Sequence, residues 1–304
     1  MKRYLWIFAA PILAGAQIAS VELSAPTLGY VFDEQAKSLR TVDGVPGSAL
    51  LGGAVEIGVP LDWIALAPNR RYGLGVREGQ MLLVRLDGGT GMASPADLPL
   101  GSVFFSPSGG TAAIYTGSRL EVYGGMPDNP NHLHSFAAEL TGEGKEFAIS
   151  DDGNAAAGLV GGELWRLSED GAEALGTGFR AMTFLRHSQD LLVLEGGRLL
   201  LLRKAQGEPE EEAAEGIVKP LAFALSADER TAAILLEDNA LLFVDRESHA
   251  TARLDLTGSG AEGVWRAEGN AVFQLNRDAS AGIWLADGDG AAPRLTAVLK
   301  GDNQ

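Results

Sequence analysis

Val103 to Gly125 reads VFFSPSGGTAAIYTGSRLEVYGG. An apolar run ends in S-P-S-G, a small-residue run TAAIY follows, and a polar pair GS leads into RLEVY. Short β-prone runs closed by Ser, Pro, Asp or Gly are strands bounded by tight turns, and a two-residue polar link between two such runs is a hairpin. The same grammar returns in FAISDDGNAAAGLVGGELWRLSEDG from Phe147 and in LAFALSADERTAAILLEDNALLFVDR from Leu221. Looser copies are IALAPNRRYGLGVREGQMLLVRLD from Ile64, MTFLRHSQDLLVLEGGRLLLLRK from Met182 and VWRAEGNAVFQLNRDASAGIWLAD from Val264. The turn aligns at Pro68, Pro107, Asp151, His187, Ala227 and Ala267, at intervals of 39, 44, 36, 40 and 40 residues.

A period near 40 residues with several strands per unit predicts an all-β fold, a β-propeller with one sheet per repeat. The second run of each unit is rich in Ala, Ile, Leu and Val, which suits a strand where blades converge. A less regular outer strand is expected in segments such as Leu133 to Leu140. Gly29 to Val42, GYVFDEQAKSLRTV, carries the second-strand, turn and third-strand pattern of a further copy. With the six aligned units it gives the expectation of seven four-stranded blades. Six or eight blades are the alternatives, with this copy sharing a blade with the C-terminal segment Arg294 to Lys300. No stretch has helical periodicity long enough for a crossover, and Glu208 to Gly216, EPEEEAAEG, reads as a solvated acidic loop.

The chain has 304 residues and 46% hydrophobic residues, ample for one globular core. Met1 to Ala16, MKRYLWIFAAPILAGA, reads as a secretory signal peptide. Lys2 and Arg3 form its basic region, Tyr4 to Leu13 its apolar region, and Ala14-Gly15-Ala16 its cleavage site. Residues 17–304 are then a single propeller domain beginning at Gln17, and the short apolar run argues against stable membrane insertion after cleavage. The absence of cysteine rules out disulfides and lipid attachment at the cleavage site, and an exported chain of this kind is ordinary for bacteria. A periplasmic or secreted location is expected. Formal charge is −16, and −18 without Lys2 and Arg3, which argues against nucleic acid and anionic lipid as partners.

The chain holds no G-x-S-x-G elbow, no H-E-x-x-H helix, no P-loop and no dinucleotide fingerprint, so no catalytic residue is assigned. His132 and His134 sit two apart and share a face on a regular strand, but no third ligand is placed, so exposed polarity is expected of them. Asp151-Asp152-Gly153-Asn154 and Asp287-Gly288-Asp289-Gly290 carry oxygen ligands without the calcium-loop pattern and read as turns. No metal and no cofactor is assigned. Trp63, Trp165, Trp265 and Trp284 fall on strand patterns and read as core. Propellers bind ligands at the channel mouth, through residues that precede each innermost strand. In this chain those are Asp62, Trp63, Lys145, Glu146, Arg180, Lys219, Glu262 and Trp265, a ring of mixed charge.

The F-x-x-S-x-x-G cassette with its small-residue and apolar strands resembles the WD-repeat and related bacterial propeller families over roughly residues 28 to 300, although the G-H and W-D dipeptides are absent. The resemblance implies a fold and carries no catalytic motif. Two functions follow. One is an exported non-catalytic module that binds a protein or peptide. The alternative is a propeller hydrolase or lactonase that uses channel-mouth carboxylates or a divalent metal on a small metabolite or glycan.

Overall fold

The structure is a computed structural model that describes residues 25–206, 210–213, 217–277, 279, 282–289 and 292–300. The expected signal peptide, residues 1–16, lies outside the described residues. Each cassette becomes a four-stranded antiparallel meander. The first consists of β4 (Trp63–Leu66), β5 (Tyr72–Arg77), β6 (Gln80–Asp87) and β7 (Thr90–Pro95). The second has β8 (Ser102–Phe105), β9 (Ala112–Tyr115), β10 (Arg119–Gly124) and β11 (Asn131–Ala137). Then come β12 (Glu146–Ile149), β13 (Ala156–Val160), β14 (Glu163–Leu167) and β15 (Ala172–Thr177). The fourth has β16 (Phe179–Phe184), β17 (Leu191–Glu195), β18 (Arg198–Leu202) and β19 (Glu210–Ala213). The fifth has β20 (Pro220–Leu225), β21 (Thr231–Leu236), β22 (Ala240–Asp245) and β23 (Thr251–Asp255).

The expectation of seven four-stranded blades is corrected here: five such blades form, and the remaining strands make one seven-stranded sheet. It joins β1 (Thr27–Asp33), β2 (Ser38–Val45) and β3 (Ser48–Ala54) to β24 (Trp265–Arg266), β25 (Val272–Gln274), β26 (Ile283–Asp287) and β27 (Arg294–Lys300). The N-terminal copy supplies only three strands among the described residues, so the edge of β3 is left open. The last strand fills it in parallel, pairing Leu299 with Leu50 and Lys300 with Leu51. β1 runs opposite to the innermost strands of the blades. Its start meets the ends of β4 and β24, where Leu28 O accepts from Arg70 Nη1 and the Glu268 amide. The turn between β1 and β2 meets the approach to β4, where Lys37 O accepts from the Leu61 amide. This agrees with the second-strand character of Gly29 to Val42.

Glu208 to Gly216 is also corrected in part, because Glu210–Ala213 forms the outer strand β19 against Leu199 to Leu201. An outermost strand needs only backbone pairing on one side and tolerates acidic composition. The apolar clusters lie between neighbouring blades. Leu192, Leu194 and Leu201 of one blade pack on Ile234, Leu236 and Leu242 of the next. Middle strands are buried on both faces, which is why LLVLE and RLLLL are continuously apolar rather than alternating. Ala112, Ala113, Ala156, Ala157, Ala232 and Ala233 have no exposed surface and let the blades approach near the axis.

The cassette turn follows each innermost strand, and its serine is a buried hydrogen-bonding hub. Ser150 Oγ donates to Asp152 Oδ1 (2.6 Å) and accepts from the Ala155 amide (3.0 Å). Ser226 Oγ does the same with Asp228 Oδ1 (2.6 Å) and the Thr231 amide (2.9 Å). The turns then bind one another around the ring. Asn69 Nδ2 donates to Gly109 O (3.2 Å). A Cβ at Gly109 would lie 2.8 Å from Asn69 Nδ2, and φ there is +70°, so both space and backbone call for glycine. Asp151 accepts from the Ser108 amide (2.8 Å) on one side and from the His187 amide (2.9 Å) on the other. Arg186 donates its amide to Glu229 Oε1 (2.7 Å) and Nη1 to Ala227 O (2.8 Å). The Ala227 amide donates to Asn270 O (2.8 Å), and Arg266 Nη2 reaches Pro68 O (3.0 Å) to complete the circuit.

Burial alone raises the Asp151 carboxyl, but the hydrogen bonds from Ser108 and His187 outweigh it and hold the group below its ordinary 3.8. Burial acts the same way on Asp152, and the Ser150, Asn154 and Gln189 donors bring it to about 2. A carboxyl with a depressed folded pKa contributes stability that is complete above the unfolded pKa and is lost as pH falls through the folded one. Asp151→Ala is expected to cost about 2–4 kcal/mol at pH 7, since two inter-blade amides lose their acceptor. Urea unfolding at pH 7 measures this, and repetition below the ordinary carboxylate pKa should show the gap from wild type narrowing. A gap independent of pH would mean that the charge on Asp151 plays no part in joining the turns.

Candidate functional site

The innermost strands leave a cavity of about 360 Å³ at the axis. Its wall is mostly apolar: Phe32 from β1, Ile64 and Leu66 from β4, Phe105 from β8, Met182 from β16, Phe223 and Leu225 from β20. Three arginines line it, Arg70, Arg266 and Arg277, against Glu229 as the carboxylate of the wall among the described residues. The interior is therefore cationic in a chain of formal charge −16.

Two of the arginines are solvated by the backbone. Arg70 donates Nη1 to Leu28 O (2.8 Å) and to Glu268 Oε2 (3.3 Å), and Nη2 to Arg266 O. Arg266 bonds Pro68 O. Desolvation lowers Arg70 to about 10, and desolvation with the nearby Arg186 charge lowers Arg266 to about 10. Arg277 follows β25 and differs from both. Its guanidinium lies over the Trp265 ring, 4.2 Å from the centroid, and has no hydrogen bond or ion pair among the described residues. Water reaches this side chain, yet the surrounding protein desolvates it enough to lower it to about 10. It is protonated at neutral pH.

Of the eight residues expected at the mouth, Trp265 alone lines the cavity. Trp63 packs between blades with Tyr72 and Leu74. Asp62 Oδ2 accepts from the Glu78 amide (2.8 Å), which ties the carboxylate to its own blade. Lys145 Nζ donates to the Tyr115 hydroxyl (2.9 Å), and Lys219 pairs with Glu237 (3.0 Å). Desolvation raises the Glu146 carboxyl, and Arg180, Glu146 and Glu262 are exposed. The structure thus disperses the mixed ring into local pairs. The tryptophans Trp165 and Trp284 are half-buried between blades, as expected.

The histidines do not share a site. A register shift between Val122 and Tyr123 intervenes between His132 and His134. His132 Nε2 bonds Glu121 (2.8 Å), while His134 bonds Glu169 (2.9 Å) and Asn154 (3.0 Å). Among the described residues no group of three or more His, Asp or Glu is placed to hold a metal ion. The Asp151–Asn154 segment is a turn, and in the other acidic segment Asp287 Oδ1 accepts from the Asp289 amide (2.9 Å), Gly290 lying outside the described residues.

Sequence reasoning missed the arginines, yet two of the wall's charged groups carried a signal. Arg70 and Glu229 stand where two clear cassettes have glycine, Gly109 and Gly153. Both adopt left-handed backbone, φ 54° and 61°. Non-glycine residues in that region are uncommon, and departure from the cassette marks them.

No family model and no curated protein matches the chain. Solved structures do. A functionally unknown protein from Desulfotomaculum acetoxidans aligns with a TM-score of 0.54 at 11% identity, over 91% of this chain and 100% of that one. Apo AztD from Citrobacter koseri gives 0.55 at 10%, over 91% and 96%. A chain of the mitotic checkpoint complex gives 0.54 at 11%, over 100% and 90%. At such identities the likeness shows the fold. The chain has a β-propeller architecture and resembles WD-repeat propellers at the level of the fold.

Arg70 is nearly buried, its side chain 14% exposed, while Glu268 is 69% exposed. Arg70→Met is expected to cost about 2–4 kcal/mol, through carbonyls left without a donor. Glu268→Gln should cost under about 0.5 kcal/mol, as for an exposed ion pair. Chemical denaturation of both variants separates the two contributions. Equal losses would assign the stabilisation to the ion pair instead.

Proposed function

We propose that the protein is an exported, non-catalytic propeller that binds a peptide or a segment of a partner protein in its axial cavity. The observation that carries this reading is the cavity itself, an apolar enclosure at the convergence of the innermost strands with a few fixed polar groups, as recognition sites have. The hydrolase reading needs two carboxylates or a metal set. Among the described residues the wall offers Glu229, whose Oε1 is already engaged by the Arg186 amide. A partner of protein nature is supported by the same fold occurring in a chain of the mitotic checkpoint complex. Export to the periplasm or medium is supported by the basic, apolar and A-x-A pattern of Met1 to Ala16. We read the seven-stranded sheet as the seam of the ring, its β1–β3 and β24–β27 portions standing for the two terminal blades.

Two experiments test this. Expression of the full sequence in a bacterial host, followed by fractionation and intact-mass measurement, should find a periplasmic chain beginning at Gln17. A cytoplasmic chain retaining Met1 would overturn the export reading. Peptides selected from a random library on the folded protein should bind at least about tenfold more weakly to Ala65→Phe, which fills the cavity from β4, with the thermal midpoint little changed. Selection that yields no binder, or binders indifferent to Ala65→Phe, would remove the cavity as the binding place.

A further inference from the structure

We infer that the axial cavity is a carboxylate site, in which Arg277 stacked on Trp265 receives the acid group of a ligand with an apolar body. This deepens the reading above and rests on the cavity being the place of binding. Three observations lead to it. First, Arg277 is the one arginine of the wall whose N–H donors are unused among the described residues: Arg70 and Arg266 spend theirs on Leu28, Arg266 and Pro68 carbonyls. Second, the guanidinium carbon of Arg277 lies over the Trp265 ring, 4.2 Å from the centroid, which fixes the place of the charge without using an N–H donor. A guanidinium is planar and presents its donors as a fork, which takes a carboxylate through two parallel bonds. Third, the remaining wall is mostly aliphatic and aromatic, with Met182, Phe223 and Leu225 half-buried along it.

Charge argues for an anion. Glu229 and Glu268 face Arg70, Arg266 and the nearby Arg186, so the site stays cationic and Arg277 has no carboxylate partner among the described residues. The neutral donors of the wall are already engaged, Thr183 with Phe184 O, Ser226 with Asp228 and Gln274 with Asn276 O, which disfavours a dianionic phosphate with its further oxygens. Two sources supply the same chemistry: a free small acid, or the C-terminus of a peptide that ends in an apolar residue.

Calorimetric titration distinguishes the possibilities. The probes are 4-phenylbutyrate, 4-phenylbutyramide, inorganic phosphate, and a peptide ending in Leu as free acid or C-terminal amide. At least one free acid should bind the wild-type protein about tenfold or more tightly than its amide. Arg277→Gln should abolish that preference, and Trp265→Leu should weaken the acid, both variants retaining the wild-type thermal midpoint. The acid–amide comparison on unaltered protein stands even if a variant fails to fold. Equal binding of acid and amide, preference for phosphate, no binding of either acid, or persistence of the preference in Arg277→Gln would each overturn the carboxylate site. A library peptide sensitive to Ala65→Phe but indifferent to amidation would sink this inference and leave the proposed function standing. Binding of phenylbutyrate without either peptide would keep the site and remove the peptide as its occupant.

Discussion

The ring depends on hydrogen bonds between consecutive cassette turns. Apolar packing holds neighbouring blades together, but that attraction is proportional to area and almost free of direction. It sets how closely two blades approach and says little about the angle between them. The turns supply the angle. Asp151 grips the Ser108 amide behind it and the His187 amide ahead of it, fixing three blades at once. At Ser150 and Ser226 a buried serine hydroxyl also satisfies the turn backbone from within. In a chain without cysteine, these bonds do the work a covalent closure would otherwise do.

That dependence explains what could be read from the sequence. The turn recurs in every blade, so its positions at Pro68, Pro107, Asp151, His187, Ala227 and Ala267 stand out near 40 residues apart and the strands around them follow. The seam was harder to read. Whether Arg294–Lys300 completes a blade or bridges two depends on which edge the N-terminal strands leave open, and strand periodicity does not record edges. The site was mostly hidden for a related reason. Residues preceding the innermost strands were expected at the mouth, yet Asp62, Lys145 and Lys219 each find a partner within their own surroundings. Trp265 lines the cavity because its strand begins there. Arg277 read as one residue of a hairpin turn, RDAS, and nothing in a turn's composition says that it leans toward the axis. Arg70 and Glu229, standing where other cassettes have glycine, were the plainest clues.

The charge pattern is the second constraint. An acidic exterior and an arginine-lined interior hold opposite charges apart, and burying the cations carries a desolvation cost. Arginine bears it better than lysine would, because its guanidinium is weakly hydrated and its donors can reach several carbonyls at once. Arg70 and Arg266 show the solution, backbone oxygens replacing water. Among the described residues Arg277 has the Trp265 ring in place of such oxygens.

The closing seam ties these constraints together. β3 and β27 meet over two residue pairs, and Leu50 and Leu299 remain 50% and 63% exposed there, so the ladder contributes little apolar burial to closure. On the axial side β1 runs opposite to β4 and β24, and the turn-to-turn circuit has to pass over it. Arg70 spans the gap, reaching Leu28 of β1, Arg266 of β24 and Glu268 beyond. A short side chain with one donor could not make that span, and a glycine, as the cassette has at this position elsewhere, could make none of it. The left-handed backbone of Arg70 is thus held by bonds to both ends of the chain. Because the same guanidinium forms part of the cavity wall, closing the ring and setting the charge of the cavity are one structural event.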